Sequence, residues 1–459
     1  MTASSQSLGL DATLAAAIDR HDVPGASLAL LVDGEVHVAA AGLLSRATGV
    51  EATPDSLFQI GSISKTFTAT LAMQLVDRGE LSLDTRVADV IPGFRVGDPR
   101  ATAQTTIAHL LTHTSGIGGD AFIDTGRGDD AVAQAVRAYA YLGQDVPFDS
   151  RFSYSNAGFV ILGRVIELVC GRSWDAVLRE RLLDPMGLER ACTLPEEALL
   201  HRAAVGHIGE DPQPAPAWVL PRGLGPSGLI CATAAELLEH GRLHLHDGRS
   251  AAGEQLLSAE SARAMREQRA SLDGLTGVGA TGWGLGWMLR EWDGCRVFGH
   301  DGGTIGQFAF LHAIPARGAA IALLTNGGLA TDCFRDLARD LLGRTCGLTL
   351  PPDPEPLPGG EVDPALAGVY EAIGNRVEVA AGDGALHATI VPTEEHGELF
   401  GEELPPAVEL RPLEPERGIY AGRAPHVLEA GTSWVPVTFP RIAGEQYVHF
   451  GGRALRRVG

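Results

Sequence analysis

The spacing of apolar residues changes several times along the chain and indicates where its elements lie. Two apolar runs at the start are separated by Asp33-Gly34, a dipeptide typical of a two-residue hairpin turn. A long middle region follows with mostly helical spacing. Strands are predicted at 26–32, 35–41, 295–298, 306–313 and 319–324. Helices are predicted at 62–78, 156–169, 174–183 and about 331–342.

The order strand, strand, helices, strands, helix predicts an α+β fold. In that fold one antiparallel sheet is built from both ends of the domain, and the helical middle packs against it. The run 351–358, PPDPEPLP, predicts a stiff linker, because each proline fixes its own φ and lacks an N–H donor. We therefore place a first domain at 1–350 and a linker at 351–364.

The remaining residues, 365–459, show short alternating strands separated by Gly, Asp and Pro. This pattern is typical of a small β-barrel or sandwich. The predicted strands of this second domain are 368–371, 377–380, 385–391, 434–439 and 446–450.

Charge and cysteine content narrow the classes of partner. The formal net charge of −21 repels phosphate backbones and anionic lipid, so nucleic acid and membrane surfaces are poor partners and small molecules are better ones. The six cysteines are scattered without metal-ligand spacing, as in a reduced cytoplasmic protein. The beginning of the chain lacks the basic and apolar segments of a signal peptide. We expect a cytoplasmic protein without a metal or organic cofactor.

Lys65 is the most informative residue of the chain. Lys and Arg together number 36, and Lys65 is the only lysine, so the other 35 are arginine. A lysine can lose its proton when it is desolvated, whereas arginine stays charged, so Lys65 can act as a general base where the arginines cannot. Ser62 lies three residues earlier, at the predicted start of a helix, where positions i and i+3 share one face. The pair predicts a nucleophile next to its base.

Two further segments carry candidate chemistry. In the first, Tyr154 and Asn156 stand two residues apart before a predicted helix, although a capping Asn beside a core aromatic would give the same pattern. In the second, His300-Asp301-Gly302-Gly303 follows a predicted strand, although a glycine-rich turn with one His is more often only a turn.

Together with the run 109–116, HLLTHTSG, these motifs resemble the serine β-lactamase and penicillin-binding-protein superfamily, in its class C, DD-peptidase and esterase branch. The resemblance covers roughly residues 8–345. It implies that Ser62 forms an acyl-enzyme, that Lys65 and Tyr154 form the base system, and that His300 belongs to the catalytic group.

The resemblance also implies how the substrate is held. The backbone N–H groups of Ser62 and Gly303 would form the oxyanion hole. Asn156 would hold the substrate amide and orient Lys65, and Asp301 and Gly302 would line the substrate site. The superfamily usually has lysine where this chain has His300, so a permanent cation is replaced by a group that is at best half charged near neutral pH. We therefore expect poor hydrolysis of penicillin.

The two-domain layout is similar to that of penicillin-binding-protein-type thioesterases, which carry a C-terminal lipocalin-like barrel. In that group the serine takes a peptide from a carrier-protein thioester, and the peptide's own amine releases it as a head-to-tail macrocycle. The resemblance thus implies a nonribosomal peptide cyclase whose substrate is a carrier-bound or thioester peptide. We expect the barrel to supply Arg441 to the site.

Other functions remain open at this point. A D-stereospecific peptidase or amidase and a carboxylesterase share much of the layout, and an inactive receptor on the same fold belongs to a different class. The sequence leaves open the length and stereochemistry of the peptide, the choice between cyclisation and hydrolysis, the oligomeric state, and whether the barrel is a lid.

Overall fold

A computed structural model of the chain describes residues 8–272, 280–359, 361–382, 384–392, 407–423 and 431–459. The predicted fold class is confirmed: an antiparallel sheet with helices is followed by a separate closed barrel. The strands of the first domain are β1 Gly25–Val32, β2 Glu35–Ser45, β3 Val50–Glu51, β4 Phe58–Gln59, β5 His207–Ile208, β6 Gln213–Pro214, β7 Cys231–Ala232, β8 Ala270–Ser271, β9 Gly282–Trp283, β10 Met288–Trp292, β11 Cys295–Gly303, β12 Phe308–Ile314 and β13 Ala319–Thr325.

The main sheet has nine strands in the order β3-β2-β1-β13-β12-β11-β10-β9-β8. It joins the two ends of the domain because β1 pairs with β13, in the register Ala29 opposite Ala322. The hairpin between β1 and β2 turns at Asp33 and Gly34, which have φ of 52° and 80°. Positive φ at both positions is the geometry of a type I′ two-residue turn.

The helices with eight or more residues in the described ranges are α1 Leu10–Arg20, α2 Ser64–Asp77, α3 Ala131–Ala138, α4 Asn156–Cys170, α5 Ala234–Leu245 and α6 Ala330–Cys346. Shorter α-helical segments are Val87–Val90, Pro99–Gln104, Ile107–Leu111, Trp174–Leu178, Asp184–Met186, Pro195–Ala198, Gly225–Gly228 and Ala259–Ala264. The predicted helix at 174–183 continues past Leu178 as the π-helix Arg179–Leu183.

The sheet separates two apolar cores. Leu28 and Leu30 of β1 pack with α1 and α6 on one face, whereas Ala29 and Leu31 pack into the core of the helical region on the other. This alternation follows from the two-residue period of a strand. Helix α2 lies inside the helical region and is buried from Ser64 to Leu75, so the segment next to Ser62 is held from all sides.

The second domain is an eight-stranded barrel with consecutive strands paired. Its strands are β14 Gly368–Ala372, β15 Asn375–Gly382, β16 Ala385–Pro392, β17 Val408–Glu414, β18 Ile419–Arg423, β19 Val435–Thr438, β21 Glu445–Phe450 and β22 Arg453–Arg457, with the short β20 Arg441–Ile442 paired to β21. Pairing of β14 with β22 and of Thr438 with His449 closes the ring. Closure leaves no free edge among these eight strands.

The barrel docks on the first domain through its β21–β22 turn and its β14–β15 turn. Tyr154 N–H donates to the Gly452 carbonyl (2.9 Å), and Ala454 N–H donates to Ser153 Oγ (3.3 Å). The Ile373 N–H reaches Asp145 Oδ1 (3.4 Å). The contacts converge on the segment that holds Tyr154. None of the described helices is both long and apolar enough to cross a membrane.

Candidate active site

Ser62 lies in a 3-10 turn, Gly61–Ile63, which leads directly into α2. The sequence pattern placed Ser62 within the helix itself, but helix α2 begins only at Ser64. Lys65 Nζ is hydrogen-bonded to Ser62 Oγ at 3.1 Å and donates to the Ser227 carbonyl at 2.6 Å. The fold therefore brings Ser62 and Lys65 into direct contact, as the sequence predicted.

The Lys65 side chain is completely buried. Burial, helped by the positive charge of Arg453, lowers the pKa of Lys65 well below its usual value, although Asp120 opposes the shift. A low pKa favours the neutral amine, and only that form can accept a proton from Ser62.

The run 109–116 holds Tyr154 in place through His113, which has a φ of 56°. The His113 carbonyl accepts from Ser153 N–H (3.0 Å), and its Nδ1 accepts from Ser155 N–H (3.0 Å). The imidazole stacks on the Tyr154 ring, with 4.4 Å between centroids. Ser155 then caps α4 by accepting from Gly158 N–H. One histidine thus fixes both neighbours and the ring of Tyr154.

The Tyr154 hydroxyl is buried and makes no hydrogen bond of standard geometry within the described residues. Burial raises the pKa of Tyr154, although the nearby Ser62 oxygen and the charge of Arg453 act in the opposite direction. The sequence interpretation favoured a phenolate beside the lysine ammonium. The direction of the pKa shift favours the neutral phenol instead, because burial outweighs the nearby cations.

Asp120 binds side chains from both domains. It accepts from Asn156 Nδ2 (2.7 Å) and from Asn375 Nδ2 of the barrel (3.0 Å). Arg453, also from the barrel, reaches both carboxylate oxygens, at 2.8 and 3.2 Å. Burial alone would raise the pKa of Asp120, but the charge of Arg453 and these hydrogen bonds lower it, so it is an ionised partner for Arg453. Sequence reasoning expected Asn156 to orient Lys65, whereas its amide nitrogen is bound to Asp120.

Arg453 also lies over the catalytic tyrosine candidate. Its guanidinium carbon is 4.9 Å from the Tyr154 ring centroid, and Lys65 Nζ is 4.9 Å from the same centroid. Two basic side chains, one from each domain, thus lie over one aromatic ring.

The segment from His300 to Gly303 is part of strand β11, not a turn after a strand as the sequence suggested. His300 is buried, and its Nδ1 is 2.6 Å from the Asp301 carbonyl oxygen. Burial and the charge of Lys65 lower the pKa of His300 to about 3. His300 is therefore neutral near pH 7. Its Nε2 is buried without a partner among the described residues.

The Asp301 carboxylate is held by two side chains of the sheet. It forms an ion pair with Arg290, and its Oδ1 is 2.6 Å from His312 Nε2. Burial would raise the pKa of Asp301, but the charges of Arg290 and His312 and the hydrogen bond from His312 lower it. The carboxylate expected to bind substrate is therefore engaged with Arg290 and His312, although Asp301 still lines the cavity beside Ser62.

Two glycine contacts bring β11 against the Ser62 turn. A Cβ at Gly302 would overlap the Ile60 carbonyl oxygen and lie 3.0 Å from Ser62 N. A Cβ at Gly61 would lie 2.7 Å from Gly303 N. The backbone around Ser62 N and Gly303 N is thus packed side by side, as two donors to a single oxyanion would need to be.

Ser62 lines two cavities. The larger, 450 Å³, contains Trp283, Trp292, Phe308, Phe310 and Phe334, and it extends to the proline-rich linker. The smaller, 290 Å³, contains Asp120, Asn156 and Asn375 and is more polar. Gly451 and Arg453 of the barrel line both cavities. The second domain therefore forms part of the wall around Ser62.

Arg441 is not brought to Ser62. It is exposed at the start of β20 and lines a separate groove with Phe152, Arg151 and Arg417. The barrel arginine at the site is Arg453, which sequence reasoning missed along with Asp120 and Asn375. The sequence signal that could have pointed to Arg453 was Gly451-Gly452, which lies between two runs of alternating apolar and polar residues. Such a dipeptide predicts a hairpin turn, and in this structure that turn contacts Tyr154.

In the described ranges no group of three or more His, Cys, Asp or Glu side chains is arranged to hold a metal ion. The six cysteines form no disulfide.

Comparison with known proteins agrees with this geometry. The Beta-lactamase family model matches residues 10–343. Penicillin-binding protein 4 of Amycolatopsis lactamdurans is 52% identical over 363 residues, which cover 77% of this chain and 94% of that protein. The D-aminopeptidase of Brucella anthropi is 27% identical, over 70% of this chain and 59% of its own.

Solved structures also match nearly the whole chain. The structure of SurE with D-Leu aligns with a TM-score of 0.75 and 27% identity, and the alignment covers 98% of this chain and 99% of SurE. The fold, the Ser62 site and the family match define a penicillin-binding-protein-like class of protein, whose members are typically serine hydrolases. The chain belongs to the beta-lactamase family.

Proposed function

We propose that this protein is a serine acyltransferase that takes a peptide from a thioester onto Ser62 and releases it as a head-to-tail macrocyclic nonribosomal peptide. The observation that carries the proposal is the position of Ser62 between two cavities that share a wall from the barrel. One cavity can hold the end of the peptide that is attached to Ser62, and the other can hold the amine that attacks it.

Acylation follows from the contacts of Ser62. Neutral Lys65 accepts the Ser62 proton across 3.1 Å while the serine oxygen attacks the thioester carbonyl. The resulting oxyanion is held by the N–H groups of Ser62 and Gly303. The thiolate leaves as the tetrahedral intermediate collapses, and it receives the proton from Lys65, directly or through the Tyr154 hydroxyl. Each oxyanion donor is worth about 3 kcal/mol in comparable sites.

Release requires an amine to replace the serine oxygen. The N-terminal amine of the peptide attacks the acyl carbonyl, its proton passes to Lys65, and the Ser62 oxygen leaves with a proton returned from Lys65 or Tyr154. Water competes for the same carbonyl. Gly451 and Arg453 line both cavities at Ser62, and we expect them to limit the access of water and so favour the bound amine.

The stereochemistry of the substrate is suggested by a relative. SurE has been solved with D-Leu, and it matches nearly the whole of this chain. We propose that the residue attached to Ser62 is a D-residue with an apolar side chain, placed in the aromatic cavity. A neutral His300 supplies no cation for the carboxylate of a β-lactam, so rapid turnover of benzylpenicillin is not expected. We place the enzyme in the cytoplasm, acting on peptides bound to a peptidyl carrier protein.

The test uses a synthetic peptidyl thioester with a D-residue at its C-terminus. Wild-type protein should gain one acyl group in intact-mass spectra and release a product that has lost only the thiol. Ser62→Ala should show neither. A product that also contains one added water would identify a hydrolase instead, and turnover by Ser62→Ala would overturn the role of Ser62.

A second candidate is a D-stereospecific peptidase or amidase. The similarity to the D-aminopeptidase of Brucella anthropi favours it. Hydrolysis of D-amino acid amides faster than the peptidyl thioester is processed would support this function over the cyclase. An inactive receptor, in contrast, would not be labelled at Ser62 by a fluorophosphonate.

A further inference from the structure

A groove between the two domains, separate from the cavities at Ser62, is lined by four arginines and one acid. Its volume is 620 Å³. Arg151 and Arg269 come from the first domain, Arg417 and Arg441 come from the barrel, and Asp149 is the acidic residue. We call it the arginine groove.

The charge of the arginine groove differs from that of the molecule. The chain as a whole has a net charge of −21, so a surface with more arginines than acids is unusual in it. Arg269 is 3.4 Å from Glu267, and Arg417 is 2.6 Å from Glu414. Arg441 has no ion pair with any residue that the structure describes. A guanidinium group carries five N–H donors, so an arginine that already has a partner can still donate to an anion, and the groove brings such groups together from both domains.

Phe152 connects the arginine groove to the Ser62 site. Its side chain lines both the groove and the aromatic cavity of Ser62. It lies two residues before Tyr154, and its ring packs against Trp283, 5.2 Å between centroids. Strand β8 contributes Ala270 and Ser271 to the groove, and Ala270 pairs with Trp283 of β9. A long thin substrate could therefore contact the arginine groove and the Ser62 cavity at the same time.

We propose that the arginine groove binds the phosphodiester of the phosphopantetheine arm that carries the peptidyl thioester. The inference rests on the proposed function, because it requires a thioester donor. Guanidinium groups match phosphate oxygens with paired N–H donors, which suits a groove whose cationic side chains are all arginines. The arm is an extended chain with its thioester at one end and its phosphate at the other. Its two ends would occupy the Ser62 cavity and the arginine groove.

The arrangement assigns a role to Arg441 that differs from the one expected from the sequence. Arg441 binds the donor at a distance from the reacting carbonyl, so its loss should weaken binding of the donor without changing the chemical step. Because arginines come from both domains, the arginine groove is complete only when the barrel is docked.

Binding is measured first, in the Ser62→Ala background, so that the result does not depend on catalysis. Phosphopantetheine should bind more tightly than pantetheine, which lacks the phosphate. Arg441→Ala should weaken binding of phosphopantetheine about ten-fold, the usual value of one charged hydrogen-bonded contact, and leave binding of pantetheine unchanged. Arg411→Ala is the matched control, since Arg411 is an exposed barrel arginine outside the groove.

Catalysis supplies the second measurement. With Ser62 intact, KM should be lower for a peptidyl-phosphopantetheine thioester than for the peptidyl-pantetheine thioester. Arg441→Ala should remove that difference at constant kcat. Equal binding of phosphopantetheine and pantetheine would overturn the proposal. Tighter binding of coenzyme A than of phosphopantetheine would show that the groove prefers a free coenzyme, and it would overturn the claim that the bound phosphate belongs to a carrier protein. Failure of both thioesters to acylate Ser62, with phosphate-dependent binding intact, would reject the proposed function and not the groove.

Discussion

Two basic side chains of different chemistry lie over the Tyr154 ring. Lys65 comes from helix α2 and Arg453 from the barrel, each 4.9 Å from the ring centroid. Arg453 is held by an ionised Asp120 and keeps its charge, whereas the pKa of Lys65 is lowered by burial and by Arg453. The permanent cation thus helps the titratable one to act as a base.

Replacement of Lys65 by arginine tests whether a base is needed. Lys65→Arg keeps the positive charge but cannot lose a proton, so it should be nearly as inactive as Lys65→Ala, with acylation slower by about 10²–10⁴. The rate of acyl-enzyme formation is followed by intact mass in single turnover. Arg78→Lys, at the exposed end of α2, is the matched control and should acylate normally. Wild-type rates in Lys65→Arg would show that only the charge matters.

Arg453→Met tests the electrostatic contribution of the barrel. Arg453 lowers the pKa of Lys65, so its removal raises that pKa, and the rising limb of acylation rate against pH should move to higher pH. Arg456→Met removes an exposed arginine of the same strand and should leave the limb in place. If Arg453 only fills space, Arg453→Met will lower the rate equally at every pH.

At the scale of elements, the site depends on how closely β11 approaches the turn before α2. Sequence pattern ended the strand at residue 298, because glycine is a poor strand former and His300-Asp301-Gly302-Gly303 resembles a turn. Pairing with β12, as between Gly302 and Ala309, continues the strand to Gly303. Glycine is required at position 302 because the neighbouring Ile60 carbonyl leaves no room for a Cβ, whereas a Cβ at Gly303 would only touch the Phe308 ring at 3.6 Å.

Gly302→Ala should displace the Ser62 turn. Its methyl group would overlap the Ile60 carbonyl and lie 3.0 Å from Ser62 N. We expect a loss of about 1–3 kcal/mol in the free energy of unfolding. We expect acylation to slow by about 10²-fold, because small misplacements of reacting groups are costly. Gly143→Ala, with open space at its Cβ, is the control for a simple glycine substitution. Normal acylation by Gly302→Ala would contradict the conclusion that the site needs β11 to lie directly against the Ser62 turn.

At the scale of the whole molecule, a buried carboxyl group links the domains. Asp145 accepts from Gly119 N–H of the first domain (3.1 Å) and from Ile373 N–H of the barrel (3.4 Å). Burial, together with the nearby Asp120, raises the pKa of Asp145 from 3.8 to about 7. The folded protein therefore favours protonated Asp145 at mildly acidic pH.

Asp145→Asn tests this linkage. A pKa raised on folding contributes stability that is complete below about pH 4 and is lost as the pH rises to about 7. The free energy of unfolding of the wild type should therefore fall more steeply over that range than that of Asp145→Asn, by up to about 1.4 kcal/mol per pH unit. Denaturant unfolding at several pH values measures the slope. Exposed Asp84→Asn should keep the wild-type slope, and identical slopes in all three proteins would reject the raised pKa.

The sequence by itself determined the parts of the protein that depend on local pattern. The periodicity of apolar residues predicted the α+β domain and the barrel. The single lysine, three residues after Ser62, identified the candidate nucleophile and base, because residues at i and i+3 of a helix are neighbours whatever the tertiary fold. The segment 109–116 was also recognised, although its function in fixing Tyr154 through His113 was not.

Only the tertiary structure decided how the two domains meet. Asp120 and Arg453 are 333 residues apart in the chain, yet they form one buried ion pair beside Tyr154. No spacing rule connects residues so far apart, so sequence reasoning chose Arg441 where the fold brings Arg453. Burial was equally invisible in the sequence, and burial sets the charge of Lys65, Tyr154 and His300. Ser62 and Lys65 are thus neighbours in the sequence, but the protonation states of the site residues are properties of the folded molecule.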